Sequence, residues 1–528
     1  MSVYVLKAGV SPKELLKVLG EAFPIEVVEE SNTSVTYRDT FDWRLIRAGL
    51  TLTTSKTGRR HRATLVTLEG ETLQTAVSKI PLLASDLPVG RILESLQPIT
   101  THRRMFPTAR AEWRGTLVAI LNEDRKTVVR LLFREGTALP LGSRKTIALR
   151  PRLHFLPLKG YRSEEKKVRT FVRKTFRLKR EDGTEVTAVY DAVGQAPGNY
   201  SSSFNLDLDP KVSAAKAARQ IHRALFQTML ANREGVTRDW DAEFLHDFRV
   251  AVRRTRSALT QLKDIFPQTD VNHFAGEFKW LGKRTGAARD HDVYLLNIPK
   301  HRESLHPGAR KDLEPLVRLL LEKKSVEHRK LRGCLGSRRF QRLLEDWKTF
   351  LEGTDIPDPG LCNTRRPIID VASERIWEAF SKVLRRGGKM GRATSAEALH
   401  RLRIDCKKLR YLLTFFRSLY PAEALAPIIL ELKQLQDHLG DFNDLQVQQE
   451  ALQKFAEEMM AIEVGPPATL LAMGQLMGQL EGQQILERDA FHKHFKQFSR
   501  PKNRRHFREL FGQGPPEGPL PPAGEDRS

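Results

Sequence analysis

Chemistry is first legible in Phe244–Leu259, FLHDFRVAVRRTRSAL. Read as a helix turning about 100° per residue, it places His246, Arg249, Arg253 and Arg256 within roughly 80° of arc. Arg254 flanks the same stripe, and Leu245, Phe248, Val252 and Leu259 cover the opposite side. A solvated helix face ordinarily mixes signs through acid–base pairs at i, i+4. This stripe carries almost only cations. Guanidinium groups present a planar fork of donors that matches phosphate oxygens, so the row calls for a polyanion.

The design returns in Ala398–Leu413, ALHRLRIDCKKLRYLL, where His400, Arg403, Lys407, Lys408 and Arg410 stand 154 residues after their counterparts. Two further segments keep that register, KWLGKRTGAARDHDV from Lys279 and KQLQDHLGDFNDLQV from Lys433. They align Gly286 with Gly440, Asp290 with Asp444 and Val293 with Val447. Two motifs in one register define an internal duplication of a helical unit. Asp290 and Asp444 either orient an arginine of a neighbouring helix or cap a helix after the glycine. His246 and His400 have three readings: donation to phosphate as imidazolium, a structural hydrogen bond inside the bundle, or metal ligation. Phosphate contact leads these, because two histidines are few ligands for a metal.

The elements that must position these residues occupy a chain of 528 residues, too long for one core, so two or three domains are expected. The net charge of +24 implies a nucleic acid, an anionic membrane surface or a phosphate polymer as partner. The plainer alternative is a basic protein kept soluble by its charge. Only Cys334, Cys362 and Cys406 are present, without a C-x-x-C pair, which fits a reducing cytoplasm and argues against disulfides or a cysteine zinc site. No run of about 18 apolar residues predicts a membrane span. MSVYVLKAGV lacks the charged leader and apolar run of a signal peptide.

Residues 1–195 read as an α+β domain. Strands are expected at Val3–Lys7, Val35–Thr40, Leu50–Ser55 and Arg62–Leu68, and again in AEWRGTLVAIL, TVVRLLFRE and RLHFLPLKGYR. Helices are expected at Ser11–Phe23, with Ser11 as cap and Pro12 in the first turn, and at Ser85–Leu96. Hairpin connections between the strands predict an antiparallel sheet or barrel. Residues 196–211 read as a linker. An all-α duplicated bundle follows at 212–500, with repeats at about 212–353 and 368–500 and a helix start at Asp209 before Pro210. Residues 501–528 read as a disordered Pro- and Gly-rich tail. Arg219, Arg223, Lys279 and Lys283 in the first repeat, and Arg375, Lys382 and Lys433 in the second, are further candidates for phosphate contact.

YRDTFDWRLIRAGLTL, Tyr37–Leu52, resembles the CYTH family, the triphosphate tunnel metalloenzyme fold. Members open with E-x-E-x-K, whose glutamates help hold a divalent metal. Here Lys7 remains, but Val3 and Val5 stand at the glutamate positions, and the family's basic L-R-x-R-like strand is Leu50-Thr51-Leu52-Thr53. A hard divalent cation needs several oxygen ligands, so the resemblance implies a degenerate scaffold without a metal. Arg44, Lys56, Arg59, Arg60 and Arg62 remain to meet phosphate or to form a solvated basic loop.

The helical half resembles the CHAD family, the conserved histidine α-helical domain, over about Val212–Arg500. The resemblance rests on H-x-x-R-x-x-x-[RK]-[RK]-x-R, found twice, and on G-x-x-x-D-x-x-V, found twice. It implies two helical bundles related by pseudo-twofold symmetry, basic helices lining a central channel, and inorganic polyphosphate as the ligand. The two basic motifs are then the binding residues, and the expected place is the cytoplasm, with polyphosphate granules as a possible station. No nucleophile–base pair, paired catalytic carboxylates or cofactor motif emerges, so a binding protein is expected rather than an enzyme. Two alternatives stand: a triphosphate or polyphosphate hydrolase, or other phosphotransfer, in the N-terminal half, and a nucleic-acid binder. Against the second, the stripe lacks the interleaved aromatics of a stacking platform.

Overall fold

Alternating burial along the first strands and a 3.6-residue period beyond Ser213 divide the chain by element type. The computed structural model describes residues 2–57, 60–180, 184–198, 200–353, 360–391 and 394–512. Contacts separate it into two units, Met1–Ser201 and Ser202–Ser528.

The first unit contains β1 (Ser2–Val5), α1 (Pro12–Ala22), β2 (Ile25–Thr40), α2 (Arg44–Arg47), β3 (Thr51–Thr57), β4 (Arg60–Val66), β5 (Thr72–Val77), α3 (Arg91–Thr100), β6 (Met105–Leu121), β7 (Thr127–Leu139), β8 (Ile147–Ala148), β9 (Arg152–Leu156), α4 (Arg162–Thr175), β10 (Lys179–Arg180) and α5 (Glu185–Val193). The strands pair antiparallel in the order β10-β1-β9-β7-β6-β2-β3-β4-β5, with β8 on β7. Successive side chains in a strand point to opposite faces, so each face of the sheet gathers its own core. On one face Tyr4, Leu131, Phe133, Leu153 and Phe155 pack with Leu15 and Leu19 of α1 and Val168 and Val172 of α4. On the other, Tyr37, Ala111 and Trp113 pack under Val186, Val189 and Tyr190 of α5. Each buried Val, Leu or Phe among them contributes about 1.5–3 kcal/mol.

Two expectations shift. The helix foreseen over Ser85–Leu96 splits into a 3-10 turn at Ala84–Asp86 and α3 from Arg91. Pro88 and Gly90 lie between, and Gly90 sits at φ +150°, where a side chain is strained. β2 begins ten residues before the expected Val35, because Ile25–Ser34 pairs with β6 as an exposed edge of the sheet whose polar residues do not alternate.

The second unit contains α6 (Ala214–Arg238), α7 (Ala242–Gln261), α8 (Gln268–Arg284), α9 (Gly286–Ser304), α10 (Glu314–Leu335), α11 (Arg338–Glu352), α12 (Ile368–Gly387), α13 (Ala396–Phe415), α14 (Ala422–Ala461), α15 (Pro467–Phe498) and α16 (Pro501–Phe511). Ser213, Asp241, Ser337 and Ser395 each cap a helix by accepting a backbone N–H of the first turn. In the duplicated register, α6 and α7 correspond to α12 and α13. The broken pair α8 and α9 corresponds to the single 40-residue α14. Gly235 and Gly387 permit close crossings: a Cβ there would lie 2.2 Å from the Phe244 ring and 2.0 Å from the Phe495 ring.

Three boundaries are corrected. α6 begins at Ala214 rather than at Asp209, because Ser213 supplies the cap. The expected linker 196–211 contributes to the second unit's core in its later part: Phe204 and Leu208 are buried in the helical core, and Leu208 N donates to Ser418 Oγ at 3.1 Å. Residues 501–511 are helical, with Phe507 and Phe511 in the same core. The rest of the expected tail, 513–528, and residues 354–359 of the expected joint between repeats lie outside the described residues.

Candidate functional site

The caps and apolar faces of α7 and α13 decide where their cations go. Asp241 Oδ1 accepts from Glu243 N at 2.9 Å and Phe244 N at 3.2 Å, and so sets the start of α7. Phe244, Leu245, Phe248, Val252 and Leu259 are buried on α7, as are Leu399, Leu402, Cys406, Leu409 and Leu412 on α13. The two helices contact one another. Arg253 is exposed on α7, yet near enough to Arg403 and Lys407 of α13 to lower the proton affinity of both. Burial is the larger cause. Burial, then Arg403, Arg253 and Arg410 against relief from Asp444, push the Lys407 ammonium down to about 8. Burial and Arg253 bring Arg249 to about 10, with Asp290 opposing. Burial lowers Arg254, with Tyr411 opposing and Arg410 and Arg253 adding to the fall. Arg256, Lys408 and Arg410 are half-buried on the same helices.

The histidines are held by the second duplicated motif. Arg289 Nη2 lies 3.2 Å from His246 Nδ1. A guanidinium only donates, so Nδ1 accepts and the neutral ring carries its proton on Nε2. Burial and Arg289 lower the His246 pKa, consistent with that state. His400 Nδ1 lies 2.6 Å from Asn443 Oδ1. Both pairs span 43 residues, so Arg289 and Asn443 are repeat mates. Arg403 Nη2 donates to Asp444 Oδ1 at 3.1 Å, and Asp290 opposes the fall in the Arg249 pKa. Both aspartates lie inside helices, α9 and α14, and not at a cap, so the geometry supports the arginine-orienting reading.

The further cations divide. Arg219 stacks on Phe266, with its guanidinium carbon 5.2 Å from the ring centroid, and Arg223 donates to the Leu351 carbonyl. Arg375 pairs with Glu378 at 2.9 Å and Lys382 with Asp405 at 3.2 Å. These four are engaged within the fold rather than brought to the stripes. Lys279, Lys283 and Lys433 are exposed on α8 and α14. The residues that sequence reasoning missed are Arg289 and Asn443. Each stands immediately before the aspartate of the repeated G-x-x-x-D element, and that position was the available signal.

In the N-terminal unit the basic residues singled out in the sequence have separate surroundings. Arg44 pairs with Asp42 at 2.9 Å and donates to Thr100 O at 3.2 Å. Lys56 and Arg60 are exposed, Arg62 reaches Gln74 at 3.5 Å, and Arg59 lies outside the described residues. Val3 pairs with His154 and Val5 with Arg152, and Arg152 with Arg134, so all share one face. Glu185 of α5 covers that face, 2.7 Å from Arg134 and 3.2 Å from His154. Asp39 accepts from the N–H groups of Thr40, Leu45 and Ile46 at 2.7, 2.9 and 3.0 Å, so Y-R-D-T builds the turn into α2. Among the described residues no group of three His, Cys, Asp or Glu is arranged to hold a metal ion, and no helix is long and apolar enough to cross a membrane.

With this geometry in place, residues 220–453 match the CHAD domain family. An uncharacterized protein of Mycobacterium tuberculosis is 26% identical over 291 residues, 51% of this chain and 55% of its own length. The chain thus spans about half the length of the curated relative it matches. The CHAD domain from the plant Ricinus communis is 25% identical, with 56% of this chain and 96% of that one covered and a TM-score of 0.46. A putative adenylate cyclase from Bacillus halodurans is 14% identical, with 35% and 98% covered and a TM-score of 0.25. By the match of its sequence, the helical unit of this chain carries a CHAD domain over residues 220–453.

Proposed function

We propose that this protein binds inorganic polyphosphate between α7 and α13, through His246, Arg249, Arg253, Arg254 and Arg256 on one side and His400, Arg403, Lys407, Lys408 and Arg410 on the other. The observation that carries the reading is the placement of Arg253, Arg403 and Lys407 on two contacting helices, close enough that Arg253 adds to the fall that burial causes in the other two. Like charges held together and half out of water destabilise the unliganded state, and a linear polyanion relieves them. The Nε donors of Arg249, Arg254 and Arg403 are buried without a hydrogen-bond partner among the described residues, which adds to the demand for an acceptor. Polyphosphate supplies a phosphate oxygen at each step of a flexible chain and asks for no base reader. Nucleic acid would gain from stacking, but Tyr411 is buried and stacked on Phe415 instead. Binding of this kind would bring the protein to polyphosphate granules where these form in a cytoplasm.

The test is polyphosphate affinity over a salt series, for the intact chain and for Arg253→Ala/Arg403→Ala/Lys407→Ala. The variant is expected to lose on the order of 100-fold in affinity and to show a slope shallower by about three charges. Unchanged binding by a folded variant overturns the assignment. Displacement of polyphosphate by duplex DNA at equal charge concentration would favour a nucleic-acid partner instead.

A further inference from the structure

A second set of cations lies on α13 away from the stripe. Lys382, Arg385 and Arg386 of α12, Lys389 just beyond it, and Arg401 of α13 line a cavity of about 420 Å³. Met390, with Thr394, Ser395 and Ala398 from the cap and first turn of α13, completes its wall. At about 100° per residue, Ala398, Arg401 and Asp405 point away from the His400–Arg403–Lys407–Arg410 stripe. The cavity and the proposed groove therefore lie on different sides of one helix.

The charges do not cancel. Asp405, buried behind the cavity, holds Lys382 at 3.2 Å and also Arg386. Glu397 holds Arg401 at 2.8 Å. Arg385 and Lys389 are exposed and have no ion-pair partner among the described residues. Cations in the last turn of α12 offset the helix dipole, which accounts for Arg385 and Arg386. It does not account for Lys389 beyond the helix end, or for Arg401 on another helix. The duplication does not account for them either. The repeat mate of Arg401 is Asp247, and the α6–α7 joint is only residues 239–241, whereas α12 and α13 are joined by 388–395. The longer joint and the extra cations belong to the second repeat alone.

We propose that this cavity is a second anion site, for a compact oligophosphate of two or three linked phosphoryl groups, independent of the groove. Its volume is that of a small-ligand pocket. Arginine and lysine together suit clustered phosphate oxygens, and the helix start adds positive dipole. No aromatic ring lines the cavity, so recognition is of phosphates and not of a base. The free oligophosphate and the phosphate end of a nucleotide share this chemistry.

The experiment starts from the full chain carrying Arg253→Ala/Arg403→Ala/Lys407→Ala, which removes the groove. Tripolyphosphate, ATP and inorganic phosphate are titrated by calorimetry. One saturable tripolyphosphate site is expected to remain, to weaken about tenfold or more on adding Arg385→Ala/Lys389→Ala, and to return with Arg385→Lys/Lys389→Arg. ATP is expected within about threefold of tripolyphosphate, and inorganic phosphate about tenfold weaker, as the charge count dictates. No saturable binding in the groove variant, or an alanine pair without effect, overturns the proposal. ATP binding more than about tenfold tighter overturns recognition by phosphate alone. Long-chain polyphosphate affinity of the groove variant is read separately, so failure of the groove assignment is distinguishable from failure of the pocket.

Discussion

Arg403 donates to Asp444 at 3.1 Å, whereas its repeat mate Arg249 donates to the Gly282 carbonyl at 2.9 Å and to Thr285 Oγ1 at 2.8 Å. The helices explain the divergence. α8 ends at Arg284 and exposes carbonyls that a cation can cap, while α14 runs unbroken past the same place. Arg249 is thus fixed by backbone, and Arg403 by a carboxylate whose side chain is 62% exposed. A phosphate must compete with that carboxylate. Asp444→Asn is expected to raise polyphosphate affinity about threefold to tenfold at low salt and to steepen the salt slope by about one charge. A salt series on both proteins checks this, and a fall in affinity would mean that the orienting of Arg403 by Asp444 outweighs the competition.

Lys407 predicts a proton linkage. Burial and the neighbouring guanidiniums place its pKa at about 8 in the unliganded protein. Phosphate charge arriving beside it favours the ammonium and raises the pKa, so binding near pH 8.5 takes up about 0.7 proton, and affinity falls as pH rises through 8. Calorimetry in buffers of different ionisation enthalpy measures the uptake. Lys407→Arg is expected to bind with none. Equal uptake by the variant would assign the proton to another group.

The basic helices and their register were legible because a conserved spacing of His, Arg and Lys survives in both copies at one offset. The sheet was legible because Leu50–Ser55 and Arg62–Leu68 alternate. What escaped depends on partners distant in sequence. Nothing near Arg375 or Lys382 marks them as tied to Glu378 and Asp405. α5 escaped because its three apolar contacts, Val186, Val189 and Tyr190, carry too short a period to stand out from a loop. The first half of β2 escaped because an exposed edge of a sheet needs no alternating apolar side. The break between α8 and α9, present in one repeat alone, leaves Thr285 in contact with Arg249 of α7, a pairing that local sequence does not mark.

His222 predicts acid sensitivity of the helical unit. Its ring is fully buried, 5.1 Å from Trp347 edge to face, and neither nitrogen has a hydrogen-bond partner among the described residues. Burial pushes it from 6.5 down to about 3. The unfolded chain therefore takes the proton first. Stability is complete above 6.5 and falls by about 1.4 kcal/mol per pH unit below it, reaching about 2 kcal/mol at pH 5. His222→Phe removes this proton, so its urea midpoint is expected to move less than that of the parent between pH 7 and 5. Parallel curves would show that the ring is protonated in the fold.

The sheet face beside Val3 and Val5 predicts that restoring two glutamates does not restore a metal site. Val3 and Val5 pair with His154 and Arg152, both buried, and Glu185 of α5 already meets His154 at 3.2 Å and Arg134 at 2.7 Å. Burial raises the Glu185 carboxyl, but hydrogen bonding to His154 and the charge of Arg134 more than offset it, so the pKa is lowered and the carboxylate stays charged. New carboxylates at positions 3 and 5 would face these cations and pair with them, under a helix held by the Tyr190–Thr108 hydrogen bond of 2.7 Å. Val3→Glu/Val5→Glu is therefore expected to release no phosphate from tripolyphosphate above background with Mg²⁺ or Mn²⁺. Metal-dependent release by the double variant would show that α5 leaves the face and that the cations there serve a substrate. The companion variant Glu185→Gln, which loosens α5 by removing the charge that holds Arg134, separates the two cases: release that needs both changes would name α5 as the element that closes the face.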